Sequence, residues 1–348
     1  MIEQLEIKGF RCFKNVQLEK LRRFNVIVGG NASGKTALLE AIFLASIDSV
    51  DKALQFRVRR GLGEQIEVGF SKAAYEALWN DLFFSVDQPI HIALTGSRNL
   101  TRSVAIGYGK EPLRLPLGQV PIDATAIMPI EFTWVGADKV SHPRRPELTE
   151  KGINFGGPVP PGLQVAYFSP GPGGRIKDSA EWFSTLSKRN EEGVVSDAVR
   201  EEFPFIEDLS IETYYGGQSM VYAKVRGLRE KLPLGMVSEG ISRTVHILVG
   251  IASRPHGVVL VDEIENGLYY ESLRGIWSTL LKFCKRHDVQ LFASTHSMEC
   301  IKALDGVVAS SPDEICLIRA KREDGQSLLR QFQGTDVEAA VEQGFEIR

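Results

Sequence analysis

Cysteine is scarce in this chain: Cys12, Cys284, Cys300 and Cys316 are the four it has, and no two form a C-x-x-C pair. That spacing indicates neither a zinc site nor a disulfide framework, and four reduced, mostly buried thiols fit a cytoplasmic protein. Long hydrophobic runs are also lacking. No apolar stretch approaches the roughly 18–20 residues that a membrane helix needs, so neither a membrane span nor a membrane partner is expected. Residues 1–10 mix Glu3, Glu6 and Lys8 into an alternating pattern, unlike a signal peptide. Neither sign of charge is in great excess: 41 Lys+Arg against 44 Asp+Glu leave a formal net charge of -3. That balance argues against nucleic-acid binding by bulk charge and leaves a local basic patch open. No internal repeat, low-complexity tract or long heptad stretch interrupts the chain, so a long coiled-coil arm is not expected. What remains is an ordinary globular composition, 43% hydrophobic and 24% charged, in 348 residues, enough for a sizeable core.

The most informative stretch runs from Val26 to Ile42. Val26-Ile27-Val28 reads as a buried strand, Gly29-Gly30-Asn31-Ala32-Ser33-Gly34-Lys35-Thr36 fits G-x-x-x-x-G-K-[ST], and Ala37-Leu38-Leu39-Glu40-Ala41-Ile42 opens a helix. Backbone N–H groups of such a turn and of the first helical turn point into one concavity that suits phosphate. Lys35 would add positive charge against the β- and γ-phosphates, and the Thr36 hydroxyl would take one Mg²⁺ position. A surface glycine turn before an ordinary helix is the competing reading, and it leaves the strand, the spacing and the Lys-Thr pair unexplained.

Around this stretch the pattern alternates between strand and helix periods. Ile2, Leu5 and Ile7 predict an opening strand, Val16 to Leu18 a second, and residues 73–84 a helix. Ile90 to Leu94, Ser103 to Ile106 and Ile130 to Trp134, punctuated by Gly96, Gly107 and Gly109, predict an antiparallel sheet of hairpins. Residues 136–162, rich in Pro and Gly, predict a long exposed loop. Val165 to Phe168 reads as a strand, followed by helices over Ser179–Arg189 and Val194–Glu202 and a hairpin over 209–225 around Gly216-Gly217. The basic clusters Lys52, Arg57, Arg59, Arg60 and Arg144, Arg145 are small enough to be solvated faces.

Four segments between residues 237 and 297 form a second constellation. Val258-Val259-Leu260-Val261-Asp262-Glu263 is an apolar strand ending in two acids, the Walker B pattern. Asp262 would hold Mg²⁺ and Glu263 would orient or deprotonate the attacking water. Two carboxylates after a buried run are costly without a cation. Ser238 is a good N-cap for the helix that follows, whose free N–H groups could form another anion site, although taken alone a plain capped helix is the favoured reading. Ile264 to Leu268 should turn beside the acids. Val289 to Ser297 predicts a buried strand that delivers His296 to the phosphate edge of a parallel sheet.

Taken together, Leu5 to Arg11, the 29–36 loop, Ser238-Glu239-Gly240, Leu260 to Leu268, Ser294-Thr295-His296-Ser297 and the ending Glu342 to Arg348 resemble the ABC-type ATPases of the SMC/RecF branch. The resemblance is strongest to OLD-like (AAA family) ATPase domains of bacterial phage-defence systems. It implies a single α/β domain: a P-loop NTPase of ABC type with a mixed central sheet, an antiparallel β subdomain and a helical lobe. Within it, residues 1–50 would be the P-loop part and 51–165 the β-rich insertion with its exposed loop. Residues 166–230 would be the helical lobe and hairpin, and 231–348 the signature, Walker B and switch-histidine part. ATP and Mg²⁺ are the implied cofactors. Lys35 and Thr36 would bind phosphate and metal, Asp262 would complete the metal site, and Glu263 would be the catalytic glutamate. His296 would sense the γ-phosphate, and Arg11 would reach the phosphates.

Ser238 and Gly240 resemble the signature motif, which acts on nucleotide held by a partner subunit, so an ATP-dependent homodimer or higher oligomer is implied. The implied role is a switch ATPase of a defence or toxin-like system that controls a separate effector protein. The alternative is a RecF-like repair ATPase that clamps DNA through the arginine clusters. Two departures stand out. Tyr269 replaces a frequent histidine, and the Q-loop glutamine is not identifiable among Gln55, Gln119 and Gln164. The stretch after His296 contains no Asp-x-Asp, so a TOPRIM nuclease centre is not expected.

Overall fold

Period-two burial in the first 28 residues sets up two different sheets. β1 (Ile2–Phe10) and β2 (Phe13–Leu18) pair antiparallel across the Arg11-Cys12 turn, whereas β3 (Phe24–Val28) is buried at every position and belongs elsewhere. β4 (Ile90–Gly96), β5 (Leu100–Tyr108), β6 (Ile130–Val135) and β7 (Ser141–Arg144) extend the first pair into an antiparallel sheet ordered β2-β1-β4-β5-β6-β7. A hairpin of β8 (Glu147–Thr149) and β9 (Gly152–Asn154) follows, then β10 (Val165–Phe168). After two helices, Ile176–Lys188 and Glu192–Glu202, β11 (Ile206–Thr213), β12 (Ser219–Val225) and β13 (Leu232–Pro233) make a small antiparallel sheet. β14 (Val258–Val261), β15 (Gln290–Thr295), β16 (Ile315–Glu323) and β17 (Gln326–Gln333) complete the set. The central sheet runs β10-β14-β15-β3-β16-β17, parallel except for the last pair. This computed structural model describes residues 1–57, 72–112, 127–145, 147–149, 152–154, 159–170, 176–213, 217, 219–334 and 336–337. Arg59, Arg60, Gln119, Gly216 and the ending 342–348 lie outside the described residues.

The central sheet separates two cores, and alternation along its strands decides which residue enters which. On β3, Phe24, Val26 and Val28 face one core and Ile27 the other; on β14, Val259 and Val261 face the first and Val258 and Leu260 the second. Strands covered on both faces read as continuous apolar runs. The helix Lys35–Ser46 is caught between the central and antiparallel sheets. It buries Leu38, Leu39, Ile42 and Leu44 in the same core as Ile7, Ile92 and Val104, so it is apolar nearly all round. The opposite face is covered by the helices Glu239–Ala252 and Leu273–His287.

Residues 136–162 are not one exposed loop. They contain β7 and the β8–β9 hairpin, and Pro143 stands opposite Thr133 on β7, the last strand of its sheet. An edge strand tolerates proline because the missing N–H interrupts no inner ladder. The segment is also tied inward. Arg102, 3% exposed on β5, donates to the Ala45 carbonyl at 2.7 Å, to Pro160 at 2.9 Å and to Pro161 at 2.8 Å. One guanidinium thus satisfies an orphan carbonyl at the end of helix Lys35–Ser46 and anchors the following segment. β1 and β2 share their sheet with β4 to β7, so the chain before β3 joins the β-rich region rather than the central sheet.

Candidate nucleotide-binding site

β3 and β15 end side by side, with Thr295 opposite Val28, and β14 ends one strand further along. Three chain segments therefore leave the sheet on one edge. The 29–36 loop turns through positive φ at Gly29 (153°), Ala32 (59°) and Gly34 (104°). Helix Lys35–Ser46 begins at Gly34 with no side-chain cap, which leaves first-turn N–H groups for an anion. Lys35 is 7% exposed, and its Nζ donates to the Gly29 and Gly30 carbonyls at 2.8 Å each. Burial lowers its pKa, opposed by Asp262, Glu263 and Glu265.

Asp262 is 2% exposed, and hydroxyls surround it. Thr36 Oγ1 donates at 2.9 Å to Oδ2, Ser294 Oγ at 2.6 Å to Oδ1, and Tyr167 Oη lies 3.4 Å from Oδ2. A buried carboxylate held by hydroxyls rather than by a cationic side chain suits a hard divalent cation. Among the described residues no group of three or more His, Cys, Asp or Glu side chains is placed to hold a metal ion. Mg²⁺ here would rely on Thr36, Asp262, phosphate oxygens and water, its usual ligand chemistry.

Glu263 has φ 51°, a left-handed conformation that costs a non-glycine residue roughly 1–3 kcal/mol. Two contacts hold it there. Its N–H donates to Ser294 Oγ at 2.9 Å, and its carbonyl accepts from Arg243 Nη2 at 2.9 Å. The same nitrogen donates to the Asp262 carbonyl at 2.6 Å, and Nη1 to the Ser169 carbonyl at 3.1 Å. Burial lowers the Arg243 pKa, with Asp262 the largest opposing charge. His296 stands 4.0 Å from Glu263 Oε1 and 3.2 Å from Glu265 Oε1, measured from Nδ1. Glu265 fixes the backbone as well, accepting from the His296 N–H at 2.9 Å and the Ser297 N–H at 3.2 Å.

A family profile described as "AAA domain" matches residues 4–89, and a second, described as "AAA domain, putative AbiEii toxin, Type IV TA system", matches residues 171–301. An "ATP/GTP phosphatase" of Helicobacter pylori is 22% identical over 378 aligned positions, 97% of each chain. A "DNA replication and repair protein RecF" of Oenococcus oeni is 44% identical over 46 residues, 13% of this chain and 12% of that one. In solved structures, an SMC head bound to the C-winged helix domain of ScpA superposes with a TM-score of 0.50 at 15% identity, covering 95% of this chain and 98% of that one. The fold is that of an SMC head domain. No helix among the described residues is long and apolar enough to cross a membrane.

This SMC-head-like fold brings Lys35, Thr36, Asp262, Glu263 and His296 to one edge. Arg11 borders the same cavity, but its Nε lies 2.7 Å from Glu40 Oε2 and its Nη2 3.4 Å from Asp81 Oδ2. Ser238 caps its helix, accepting from the Ile241 N–H at 3.5 Å, and Gly240 packs against Gly267. Neither lines the P-loop cavity. Gln55 and Gln164 line a cavity of about 480 Å³ that shares no lining residue with the P-loop cavity. Tyr167 reaches Asp262 instead. Sequence reasoning missed Tyr167, Arg243 and Ser294. Ser294 stood only as the start of the Ser294–Ser297 motif, and Arg243 as a cation in a helix that also carries Glu239, Ser242, Thr244 and His246.

Proposed function

We propose that the ATPase binds Mg²⁺–ATP at the 29–36 loop and hydrolyses it. The observation that carries this is the Thr36–Asp262 contact of 2.9 Å beside an uncapped helix N-terminus. Loop N–H groups and Lys35, released from the Gly29 and Gly30 carbonyls, would take the β- and γ-phosphates. Mg²⁺ on Thr36 and Asp262 would neutralise charge shared by those phosphates. Glu263 would accept a proton from the water that attacks the γ-phosphorus while the bond to the β–γ bridging oxygen breaks, yielding ADP and phosphate. His296 would sit between Glu263 and Glu265 as a γ-phosphate contact.

Two copies would close on two nucleotides, each held between one subunit's loop and the other's Ser238–Gly240 turn. Exposed apolar side chains beside that turn, Met236 (76%), Tyr269 (61%) and Tyr270 (58%), support a surface that a partner covers. Opening on hydrolysis would make the dimer a switch for a separate effector protein in an OLD-like antiphage or toxin-type system. The toxin-family description of the profile over 171–301 supports that setting. The DNA-clamp reading finds less support, because Arg57 is 3% exposed and ion-paired with Asp81, and Arg145 lies 2.8 Å from Glu131. Light scattering of Glu263→Gln tests the reading. With Mg²⁺–ATP this variant should be a lasting dimer and hydrolyse roughly 10²–10⁴ more slowly. A monomer at saturating ATP, or wild-type turnover, would refute it.

A further inference from the structure

The β16–β17 hairpin is fastened to the P-loop at both ends of the loop. A Cβ on Gly29 would stand 2.3 Å from the Ala320 carbonyl oxygen, and one on Gly34 would stand 3.0 Å from Ser327 Oγ. The Ser327 N–H donates to the Cys12 carbonyl at 2.8 Å, and Ser327 is 1% exposed with no hydrogen-bond partner for its hydroxyl among the described residues. These contacts hold the turn Arg322–Gly325 at the rim of the cavity of about 520 Å³ that opens from residues 32–37.

The cavity is lined by the phosphate-binding loop together with Cys12, Phe84 and Arg322. Arg11 and Asp81 lie there too, but they are committed to each other at 3.4 Å, to Glu40 and to Arg57. Arg322 is exposed, and its side chain makes no hydrogen bond or ion pair among the described residues. A free guanidinium plane and a half-buried phenyl ring in the same cavity as a triphosphate site suit a flat heterocycle that stacks by its face.

The geometry points to a nucleoside subsite in this cavity, beside the P-loop. There Arg322, supplied by the hairpin, stacks on the base of a purine nucleoside triphosphate whose phosphates occupy the P-loop. The inference rests on the reading that the P-loop binds nucleotide. It adds a contact from a segment almost 300 residues away in sequence. Face stacking makes no contact with the base edge, so ATP and GTP should depend on Arg322 alike.

Calorimetry with Mg²⁺ and three probes, ATP, GTP and inorganic tripolyphosphate, separates the possibilities. Arg322→Ala should weaken ATP and GTP about 3- to 30-fold, the worth of one cation–π contact, and leave tripolyphosphate affinity unchanged. Unchanged ATP affinity would overturn the inference, and so would equal weakening of tripolyphosphate, which would make Arg322 a phosphate residue. Loss confined to ATP would replace stacking by an edge contact and overturn it as well. A wild-type protein that binds neither ATP nor tripolyphosphate would defeat the P-loop reading itself. A wild type that binds both, with a silent Arg322→Ala, would defeat only the nucleoside subsite.

Discussion

Arg243 donates from the middle of one helix to the carbonyl oxygen of Glu263, at 2.9 Å, in another segment. Its two other acceptors are the carbonyls of Asp262 and Ser169. The helix that Ser238 caps is therefore joined to the backbone of both acids, and Glu263 is held at φ 51° partly by this guanidinium. Arg243→Met should leave three carbonyls short of a donor. We expect a stability loss of roughly 1.5–3 kcal/mol and a fall in kcat with little change in KM, because the Thr36–Asp262 contact does not involve Arg243. Steady-state kinetics with urea unfolding checks this. A rise in KM at constant kcat would contradict it.

Gly240 is a second junction. A Cβ there would meet the Gly267 carbonyl oxygen at 2.1 Å, a backbone atom with no rotamer to change. Gly240→Ala should push the Ser238 turn away from the turn after Asp262, at a cost of about 1–3 kcal/mol. Gly235, with nothing near its Cβ position, is the matched control. Thermal unfolding of both variants should show loss only for Gly240→Ala.

The hydroxyls on Asp262 differ in geometry. Ser294 Oγ lies at 2.6 Å and also accepts from the Glu263 N–H, whereas Tyr167 Oη lies at 3.4 Å. Ser294→Ala should raise the Mg²⁺ concentration for half-maximal turnover more than Tyr167→Phe does, since a long bond is weak. A Mg²⁺ titration of the ATPase rate in each variant decides the order.

Ser238→Arg should block ATP-dependent dimerisation without unfolding the monomer, because Ser238 is only half-buried at a helix start. Light scattering with and without Mg²⁺–ATP, beside circular dichroism, is the check. Continued dimerisation would exclude a partner-facing role for this turn.

Asp288 predicts an acid-limb effect. Hydrogen bonds from Arg23 and His256 hold its pKa at about 2, below the ordinary 3.8. A depressed carboxylate stabilises the fold above its unfolded pKa, and that contribution fades as the pH falls from about 4 toward 2. Asp288→Asn should be less stable than the wild type at pH 7, with the gap closing across that window. Unfolding midpoints measured between pH 7 and 2 test it, and a gap that persists at pH 2 would exclude the linkage.

The parts that could be read directly were those whose chemistry is local. The strand, turn and helix of residues 26–42 lie in one continuous run, and the apolar run before Asp262 is buried on both faces, as its composition requires. The 136–162 segment was misjudged because its prolines were weighed without knowing that β7 is an edge strand. The Asp324-Gly325 turn between two strands is a hairpin signal. It passed unread because no motif marked residues 315–333.

By itself the sequence determined where phosphate-binding N–H groups, a lysine, a threonine and two acids would be, because each is specified by neighbours a few residues away. Only the tertiary structure decided what surrounds them: Tyr167, Arg243 and Ser294 on the acid segment, Gly267 against Gly240, and Arg322 beside the P-loop. Those pairings span from 19 residues between Arg243 and Asp262 to almost 300 between Arg322 and the P-loop. They depend on which strands neighbour which in the central sheet, an order set by packing two cores against it and carried by no local pattern.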